Sequence, residues 1–594
     1  MKEYPQYHNY DLAPSKPVTG CDGEAFAGYD AILTEVRRCL DERAPGYAQG
    51  TGRAVVVCDL YPGVNKQEVL AAFSSLSPQL VIDSDACALS EEELNQLFAY
   101  DLTDDRVFGV MTGKKLEHCF DAGRMEQAKG QVQSAQGLVL VIGVGASFIA
   151  QGDVLLYFDL ERWEIQLRYR AGMPNWNCTN YDAPILTKYK RGFFVEWRLA
   201  DRHKKDLFHR FDYIVDTNAP NAPAMITRRT FWQAMEQMSC QPFRAVPYFD
   251  PGVWGGQWMK QVFGLDPQAK NYAWSFDGVP EENALHLRFG DVLMRLPCID
   301  LVFCRPHQLL GEHVHARFGA EFPIRFDLLD TMEGENLSLQ VHPLTEYIQE
   351  NFHMHYTQDE SYYILDAAEE DTYVYLGLKE GVDPQEMIAA LKRAETGAEP
   401  FDAERFVNKV PVKKHDHVLI PAGTVHCSGK NTMVLEISAT PYIFTFKLWD
   451  WGRLGLDGLP RPIHIEHGRH NIQWDRDTAW VYSNLVGQQE IVAEEPGVLV
   501  ERTGLHQREF IDTHRYTFSQ PVTIHTGDSV NVLNLIEGSE ATVSSPTGAF
   551  APYTVHYAET FIVPAAVGTY QITPGLPDGS GAKEAAVICA RVRD

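Results

Sequence analysis

Four residues in the middle of the chain have side chains and spacing that suit a single metal ion. Gln340 and His342 stand two residues apart in an apolar stretch, and alternate side chains of a strand share one face. Glu360 stands just before an aromatic and apolar run, and His426 follows a turn with the sequence Pro-Ala-Gly-Thr. Two imidazoles, a carboxylate and an amide oxygen suit zinc, and iron, cobalt and manganese also accept them. The pattern predicts a site for one divalent metal ion.

A second ligand set overlaps the first. His353 and His355 also have same-face spacing. With Glu360 and His426 they match the general cupin pattern of His-x-His, a later Glu and a distant His after Pro-x-Gly. With iron, this set would suit a dioxygenase, which is an enzyme of a different class. Both sets contain Glu360 and His426, so the residues alone leave the other two ligands open.

The composition limits the class of protein. With 594 residues the chain is too long for one hydrophobic core, and roughly three or four domains are expected. Its 80 acidic and 52 basic residues give a net charge of −28, which argues against a nucleic-acid or anionic-membrane surface as the main partner. Eleven cysteines without a repeated spacing indicate reduced thiols, and no signal peptide or membrane-spanning stretch is apparent. We therefore expect a cytoplasmic protein.

The first part of the chain alternates apolar strands with amphipathic helices. Residues 54–58, 80–82 and 137–143 are predicted strands, and apolar side chains in residues 67–76 have helical spacing. This alternation predicts an open α/β sheet with mainly parallel strands. The third strand runs into Gly143-Val144-Gly145-Ala146-Ser147, a turn whose backbone amides could cradle a phosphate.

This region resembles a uridine-kinase-like P-loop domain. The resemblance covers residues 54–63, 102–109 and 143–147, with residues 191–205 as a basic lid. A working loop of this kind has a Lys followed by Ser or Thr, whereas this loop has Ala before its Ser. The resemblance therefore implies an inactive α/β P-loop kinase-like domain over residues 1–222, and no site is predicted there.

The character of the sequence changes after residues 216–223, whose Asn and Pro content predicts a domain boundary. Short predicted strands at residues 284–287, 301–304 and 326–329 then indicate an all-β region. One helix interrupts this region, with Asp383 as its predicted cap and a Pro in its first turn.

The end of the chain also consists of short predicted strands and turns. Residues 561–570 resemble residues 419–426 without the His, which predicts a second cupin that binds no metal. The predicted fold is therefore multidomain, with an α/β P-loop-like domain followed by an all-β double cupin, or jelly roll, that carries a helical insertion. The predicted domains are residues 1–222, a metal-binding cupin over residues 223–489, and the metal-free cupin over residues 490–594.

From about Tyr248 onward the chain resembles the type I mannose-6-phosphate isomerases, which are zinc-dependent double-cupin enzymes. The matching motifs keep the family's order and include Val253–Gly256, Leu337–Pro343, Glu360 with Tyr363–Asp366, Tyr375–Pro384, Pro421–His426 and Phe446–Arg453. In that family the metal is held by the Gln and His of the Gln-Val-His-Pro strand, by the Glu, and by the His of the Thr-Val-His turn. The resemblance implies that one zinc ion per chain, or another divalent metal, is held by Gln340, His342, Glu360 and His426.

The chain departs from this family at charged positions. The family usually has Lys where this chain has Asp327, Arg where it has Lys447, and Cys-Trp where it has Ser361-Tyr362. The first two differences reduce the positive charge near the expected sugar phosphate. Arg325, Lys447 and Arg453 are therefore expected to share the phosphate contact.

The resemblance implies an aldose–ketose isomerase that interconverts mannose 6-phosphate and fructose 6-phosphate through a cis-enediol. Lys447 or Arg453 would stabilise the enediolate, while Glu436, a metal-bound hydroxide or a His would carry the proton. The predicted substrate contacts are Ser338, Trp254 and Arg325. The expected partner is a small sugar phosphate and neither a nucleic acid nor a membrane, and the expected assembly is a monomer or a homodimer.

Two further functions stay open from the sequence. Asp327 and Lys447 also fit a regulator that binds a sugar phosphate without turnover. The N-terminal resemblance fits a bifunctional sugar or nucleoside kinase–isomerase.

Overall fold

The computed structural model describes residues 4, 7–21, 23–439, 444–456, 458–504 and 506–593. They form two compact units. The α/β unit comprises Ser15–Gln237 and Ala284–Cys304, and the β unit comprises Met1–Pro14, Met238–Asn283 and Arg305–Asp594. Strands and helices are numbered along the chain. None of the helices in the described ranges is both long and apolar enough to cross a membrane.

A seven-stranded sheet lies at the centre of the α/β unit. The first eight strands are β1 (Ser15–Pro17), β2 (Ala25–Ala27), β3 (Arg53–Leu60), β4 (Leu80–Asp83), β5 (Gly137–Gly143), β6 (Val154–Asp159), β7 (Tyr213–Asp216) and β8 (Ala224–Thr227). The sheet has the order β2-β8-β7-β6-β3-β5-β4, and the strands from β7 to β4 run parallel. β3 and β5 are buried along almost their whole length, as is usual in parallel sheets. The predicted open α/β sheet is confirmed.

Helices connect these strands. They are α1 (Gly28–Arg43), α2 (Pro45–Ala48), α3 (Lys66–Phe73), α4 (Glu91–Leu97), α5 (Ala99–Leu102), α6 (Ala122–Ser134), α7 (Arg162–Arg170), α8 (Ile185–Arg191), α9 (Trp197–Leu207) and α10 (Arg228–Met238). The predicted helix at residues 67–76 forms α3 and a following 3₁₀ turn. Asn65 Oδ1 caps α3 by accepting a hydrogen bond from Glu68 N at 3.3 Å.

Residues 284–304 return to the α/β unit, which differs from the sequence prediction. β11 (Ala284–Phe289) and β12 (Val292–Pro297) form a three-stranded sheet with β1, so residues 284–287 do not belong to the cupin region. The strand predicted at residues 301–304 was wrong, because these residues lie in helix α12 (Ile299–Cys304). Four apolar residues in a row do not distinguish a strand from a buried helix. The predicted boundary at residue 222 also falls inside this unit, since β7 and β8 pair across it.

Two packed sheets form the first part of the β unit. Their strands are β9 (Tyr248–Asp250), β10 (Trp274–Gly278), β13 (Arg325–Asp330), β14 (Leu339–Val341), β15 (Glu360–Ala367), β16 (Tyr373–Leu378), β17 (Val407–Pro411), β18 (His417–Ile420), β19 (His426–Ser428), β20 (Thr432–Ser438) and β21 (Phe446–Trp449). One sheet has the order β18-β15-β20-β13-β10-β9 and the other β17-β16-β19-β14-β21. The predicted all-β character and the strand at residues 326–329 are confirmed.

The helices of the β unit lie between these strands and after them. They are α11 (Trp258–Val262), α13 (Pro306–Leu310), α14 (Glu312–Phe318), α15 (Thr345–Phe352), α16 (Pro384–Glu395), α17 (Ala403–Phe406), α18 (Ile465–Arg469) and α19 (Thr478–Asn484). Asp383 caps α16 by accepting a hydrogen bond from Glu386 N at 3.0 Å, which confirms the predicted helical insertion.

Two further sheets form the end of the β unit. Their strands are β22 (Glu490–Glu495), β23 (Val498–Arg502), β24 (Ile511–Phe518), β25 (Val522–His525), β26 (Asn531–Glu537), β27 (Glu540–Ser544), β28 (Tyr553–His556), β29 (Thr560–Val563), β30 (Thr569–Pro574) and β31 (Ala585–Val592). The sheet orders are β22-β23-β24-β31-β26-β29 and β25-β30-β27-β28. A shared core that includes Phe518, Leu533 and Tyr570 joins these strands.

Candidate metal centre

Three strand ends bring the predicted ligands together. Gln340 in β14 lies opposite His426, the first residue of β19, and His342 directly follows β14. Glu360 is the first residue of β15. Ligand atoms of His342, Glu360 and His426 lie within 4.8 Å of one another, and all three residues are buried.

The turn before His426 is fixed from two sides. Gly423 has a φ of +88°, and a Cβ there would approach Asn471 O to 2.9 Å, so the turn requires glycine. Arg476 Nη1 donates hydrogen bonds to Pro421 O at 2.8 Å and to Ala422 O at 2.7 Å. These contacts set the direction in which β19 begins.

The two imidazoles face the carboxylate with their Nε2 atoms. His342 Nδ1 donates to Phe444 O at 2.9 Å and His426 Nδ1 donates to Thr424 O at 2.8 Å, so each ring turns its Nε2 toward Glu360. These Nε2 atoms lie 3.1 and 2.7 Å from Glu360 Oε1. His342 Nε2 and Glu360 Oε1 are buried without a hydrogen bond to any described residue.

Two imidazole nitrogens and a carboxylate oxygen at such distances fit a divalent metal ion. Burial alone would raise the pKa of Glu360, but His342 and His426 hold that pKa well below its usual value. The carboxylate is therefore available as an anionic ligand.

Gln340 completes the predicted set. Its Nε2 lies 3.2 Å from His426 Nε2, and rotating the amide by half a turn would place Oε1 there instead. The overlapping set is not assembled. The side chain of His355 is 76% exposed and its Nδ1 lies 3.2 Å from Glu321 Oε1, while His353 is also exposed. The iron-dioxygenase arrangement therefore does not fit this fold.

A cavity of about 80 Å³ adjoins the candidate ligands. Among the residues that line it are Gln340 and His342 together with Trp254, Arg325, Ser338, Glu436 and Lys447, so five predicted substrate and catalytic residues do come together. Arg453 does not line this cavity within the described chain, which corrects its predicted role. Its Nη1 donates to Asn336 O at 2.8 Å and its Nη2 to Asp450.

The charges of Arg325, Asp327 and Glu436, which line the cavity, largely compensate one another. Arg325 is 1% exposed and donates to Asp327 Oδ1 at 3.2 Å and to Glu436 Oε1. Burial raises the pKa of Asp327 to about 6, although Arg325 opposes this shift. Burial, then Asp327 and Glu360, hold the pKa of Glu436 well above its usual value. Arg325 is thus less able to bind a phosphate than the sequence suggested.

Two cavity residues were missed by the sequence reading. Gln358 Nε2 donates to Glu360 Oε2 at 2.9 Å and to Glu436 Oε1 at 3.0 Å, which links the metal ligand to the candidate base. Arg461 also lines the cavity, although it belongs to a polar loop without periodicity. Burial, and after it the charge of Arg461, lower the pKa of Lys447 to about 8.

Comparison with known proteins finds a family model and several curated relatives. A family model described as "Domain of unknown function (DUF8485)" matches residues 28–240. Mannose-6-phosphate isomerase of Streptococcus mutans is 27% identical over 217 residues, 36% of this chain. Mannose-6-phosphate isomerase ManA of Bacillus subtilis is 26% identical over 236 residues, 39% of this chain. The alignments span 62% and 67% of these two relatives.

Two solved structures are similar to part of this chain. The crystal structure of mannose 6-phosphate isomerase from Bacillus subtilis has 19% sequence identity and a TM-score of 0.48, covering 59% of this chain and 100% of that one. A zinc-bound mannose 6-phosphate isomerase structure has 15% identity and a TM-score of 0.45, covering 60% of this chain and 100% of that one.

Proposed function

We propose that the β unit is a zinc-dependent aldose–ketose isomerase that interconverts mannose 6-phosphate and fructose 6-phosphate. The observation that carries this proposal is the convergence of the buried ligand atoms of His342, Glu360 and His426 within 4.8 Å of one another, beside a cavity lined by charged side chains. Similarity to proteins named mannose-6-phosphate isomerase supports the choice of reaction. The metal would be held by Gln340, His342, Glu360 and His426.

The reaction moves hydrogen from C2 to C1 and a hydroxyl proton from O2 to O1, or the reverse. Bound zinc supplies stabilisation of negative charge on these oxygens. Glu436 is the proposed proton carrier, since it lines the cavity and its raised pKa favours keeping the proton that it takes from carbon. Lys447 would place a positive charge beside the enediolate oxygens, and Trp254 and Trp274 would help to exclude water from the sugar.

A pair of histidine variants tests the metal assignment. His342→Ala is expected to lower metal affinity by about 100-fold or more and to abolish isomerisation, because it removes a direct ligand. His355→Ala is the matched control, since this exposed His is expected to leave metal content and activity unchanged. Metal analysis and a coupled assay with mannose 6-phosphate, with and without chelator, measure both properties.

A regulator without turnover is the second candidate, because Arg325 is neutralised by Asp327 and Glu436. If the protein is a regulator, the unmodified protein should contain the metal and bind mannose 6-phosphate but form no fructose 6-phosphate. That result would exclude the isomerase.

We also propose that the α/β unit is an inactive P-loop-like domain and that residues 490–594 form a second, metal-free cupin. Asp59, which is fully buried, accepts hydrogen bonds from Gly145 N at 3.1 Å and Ser147 N at 3.0 Å. A carboxylate thus occupies the amides that would cradle a phosphate, and His203 Nε2 lies 2.9 Å from it. Saturable binding of ATP by the full chain would contradict this proposal and favour the kinase–isomerase.

A further inference from the structure

The cavity beside the candidate metal ligands has cations that differ in how far they are neutralised. Arg325, Lys447 and Arg461 all line it. Arg325 pairs with Asp327 through Nε and with Glu436 through Nη2, while its Nη1 has no hydrogen-bond partner among the described residues. Two carboxylates offset the charge of Arg325, so Lys447 and Arg461 supply most of the positive charge that a substrate can use.

Arg461 is held in place by a buried carboxylate. Its Nε lies 2.5 Å from Asp450 Oδ2, and Asp450 is 2% exposed. Asp450 Oδ1 also accepts hydrogen bonds from Ser338 Oγ at 3.1 Å and from Arg453 Nη2. One carboxylate thus serves two guanidinium groups, which leaves a net positive charge at this end of the cavity.

Arg461 contacts Asp450 through Nε. Within the described ranges, its two Nη groups make no hydrogen bond or ion pair with the protein. The two Nη groups are therefore the donors that can meet a ligand in the cavity. Paired N–H donors of one guanidinium match two oxygens of a phosphate, which a lysine ammonium cannot do in the same way.

The separation between Arg461 and the metal ligands suits a sugar phosphate. Ser338, Gln340 and His342 are alternate residues of one extended segment, and two residues of a strand span about 6.6 Å. Ser338 contacts the carboxylate that holds Arg461, whereas Gln340, two residues later, lies opposite the candidate ligand His426. That length is comparable with an extended six-carbon chain, whose reacting carbons and phosphate lie at opposite ends.

We propose that Arg461, positioned by Asp450, binds the phosphate of the substrate and makes the site selective for a phosphorylated hexose. This inference rests on the proposed isomerase function and names the residue that distinguishes a hexose 6-phosphate from the free sugar. Arg461 contacts the substrate directly in this scheme. Asp450 is a positioning residue, because it acts through Arg461.

Kinetics of Arg461→Gln on two substrates test the proposal. Loss of a charged donor to phosphate is expected to raise the KM for mannose 6-phosphate by about 100-fold, with little change in kcat. The inhibition constant of inorganic phosphate should rise by a similar factor, while kcat/KM for unphosphorylated mannose and the metal content should not change. Arg469→Gln is the matched control, because this guanidinium lies on α18 and is 44% exposed.

A double-mutant cycle tests the positioning role. Asp450→Asn is expected to raise the KM for mannose 6-phosphate less than Arg461→Gln does, and the double variant should match Arg461→Gln alone. Additive effects would show that Asp450 acts independently of Arg461. Arg461→Lys, which keeps the charge, should recover part of the loss for mannose 6-phosphate.

The proposal is overturned if Arg461→Gln keeps the KM of the unmodified protein for mannose 6-phosphate. It is also overturned if kcat/KM falls by the same factor for mannose 6-phosphate and for mannose. Failure of the proposed function is a different result, namely no turnover of either sugar by the unmodified protein. In that case calorimetric titration with mannose 6-phosphate decides the role of Arg461. Binding that is lost in Arg461→Gln supports it, and absent or unchanged binding overturns it.

Discussion

Glu436 has a structural ion pair and a proposed catalytic role, which a single substitution can separate. Its carboxylate pairs with Arg325, accepts hydrogen bonds from Gln358 at 3.0 Å and Ser438 at 2.9 Å, and lines the cavity. The ion pair is a structural role, whereas proton transfer requires the carboxylate to change its charge. An amide of the same shape keeps the first role in part and removes the second.

Glu436→Gln is therefore expected to lower kcat for mannose 6-phosphate by about 10²- to 10⁴-fold, the usual range for loss of a general acid–base group. Metal content and KM should change little, because the amide still accepts from Arg325. Steady-state kinetics with metal analysis measure this, with the exposed Glu369→Gln as control. An unchanged kcat would leave Glu436 with its structural role alone.

Asp300 gives the α/β unit a defined response to pH. It is fully buried, and its Oδ1 lies 3.0 Å from Lys204 Nζ. Burial raises the pKa of Asp300 to about 8; Lys204 opposes this shift and Asp159 adds to it. In the unfolded chain the group loses its proton near pH 4. Between these values the folded state binds more protons, so this residue makes the free energy of unfolding fall as pH rises.

Asp300→Asn mimics the protonated side chain and removes this dependence. Relative to the unmodified protein, its free energy of unfolding should increase with pH between pH 4 and pH 8, by at most about 1.4 kcal/mol per pH unit. Urea unfolding at several pH values measures the difference. Asp206→Asn, which changes an exposed residue of α9, should show no such trend. If the free energies of unfolding of Asp300→Asn and the unmodified protein differed by the same amount at every pH, Asp300 would be ionised across the whole range from pH 4 to pH 8.

At the scale of elements, the sequence predicted those strands and helices that a local pattern of residues determines. β3 and β5 were found because their buried runs are continuous, and α16 because Asp383 and Pro384 mark its start. The candidate metal ligands could be predicted because Gln340 and His342 stand two residues apart in one extended segment and the others stand in recognisable motifs. Gln358 and Arg461 were missed because their positions depend on tertiary contacts with Glu436 and Asp450, which no local pattern shows. Residues 301–304 were assigned to the wrong element because a short apolar run fits both a strand and a buried helix.

The turn that precedes His426 depends on Arg476, which lies shortly before helix α19. Its Nη1 donates to Pro421 O, Ala422 O and Thr424 Oγ1, at 2.8, 2.7 and 2.5 Å. It is 4% exposed, so no water would replace these bonds without rearrangement. The guanidinium therefore fixes the turn that precedes the candidate ligand His426 and is not itself a candidate ligand.

Arg476→Ala is expected to lower metal affinity by about 10- to 100-fold, as for other residues that orient a ligand. Competition with a chromophoric chelator measures the affinity. Arg469→Ala removes an exposed arginine of the same region and should have no effect. Equal affinities for the two variants would show that Gly423 and the flanking strands fix the turn alone.

For the whole molecule, the main organising feature is that the α/β unit is assembled from two separate segments. β1 pairs with β11 from Ser15↔His286 to Pro17↔Arg288. β12 joins the end of β7 through Arg295 N, which donates to Asp216 Oδ2 at 2.7 Å, and Asn218 Nδ2 donates to Arg295 O at 2.9 Å. Residues 284–304 are thus part of this unit's fold, although the intervening chain belongs to the β unit.

A fragment of residues 15–237 alone should therefore fail to fold stably, whereas the same fragment joined to residues 284–304 by a flexible linker should fold. Leu285, Leu287, Met294 and Leu296 are each at most 1% exposed. Burial of one such side chain is worth about 1.5–3 kcal/mol, so losing all four approaches the 5–15 kcal/mol that typically stabilise a folded protein. Circular dichroism during heating compares the fragments, with a linked fragment whose residues 284–304 are scrambled as control. Equal melting temperatures for the short and the linked fragments would show that the α/β unit folds completely without residues 284–304.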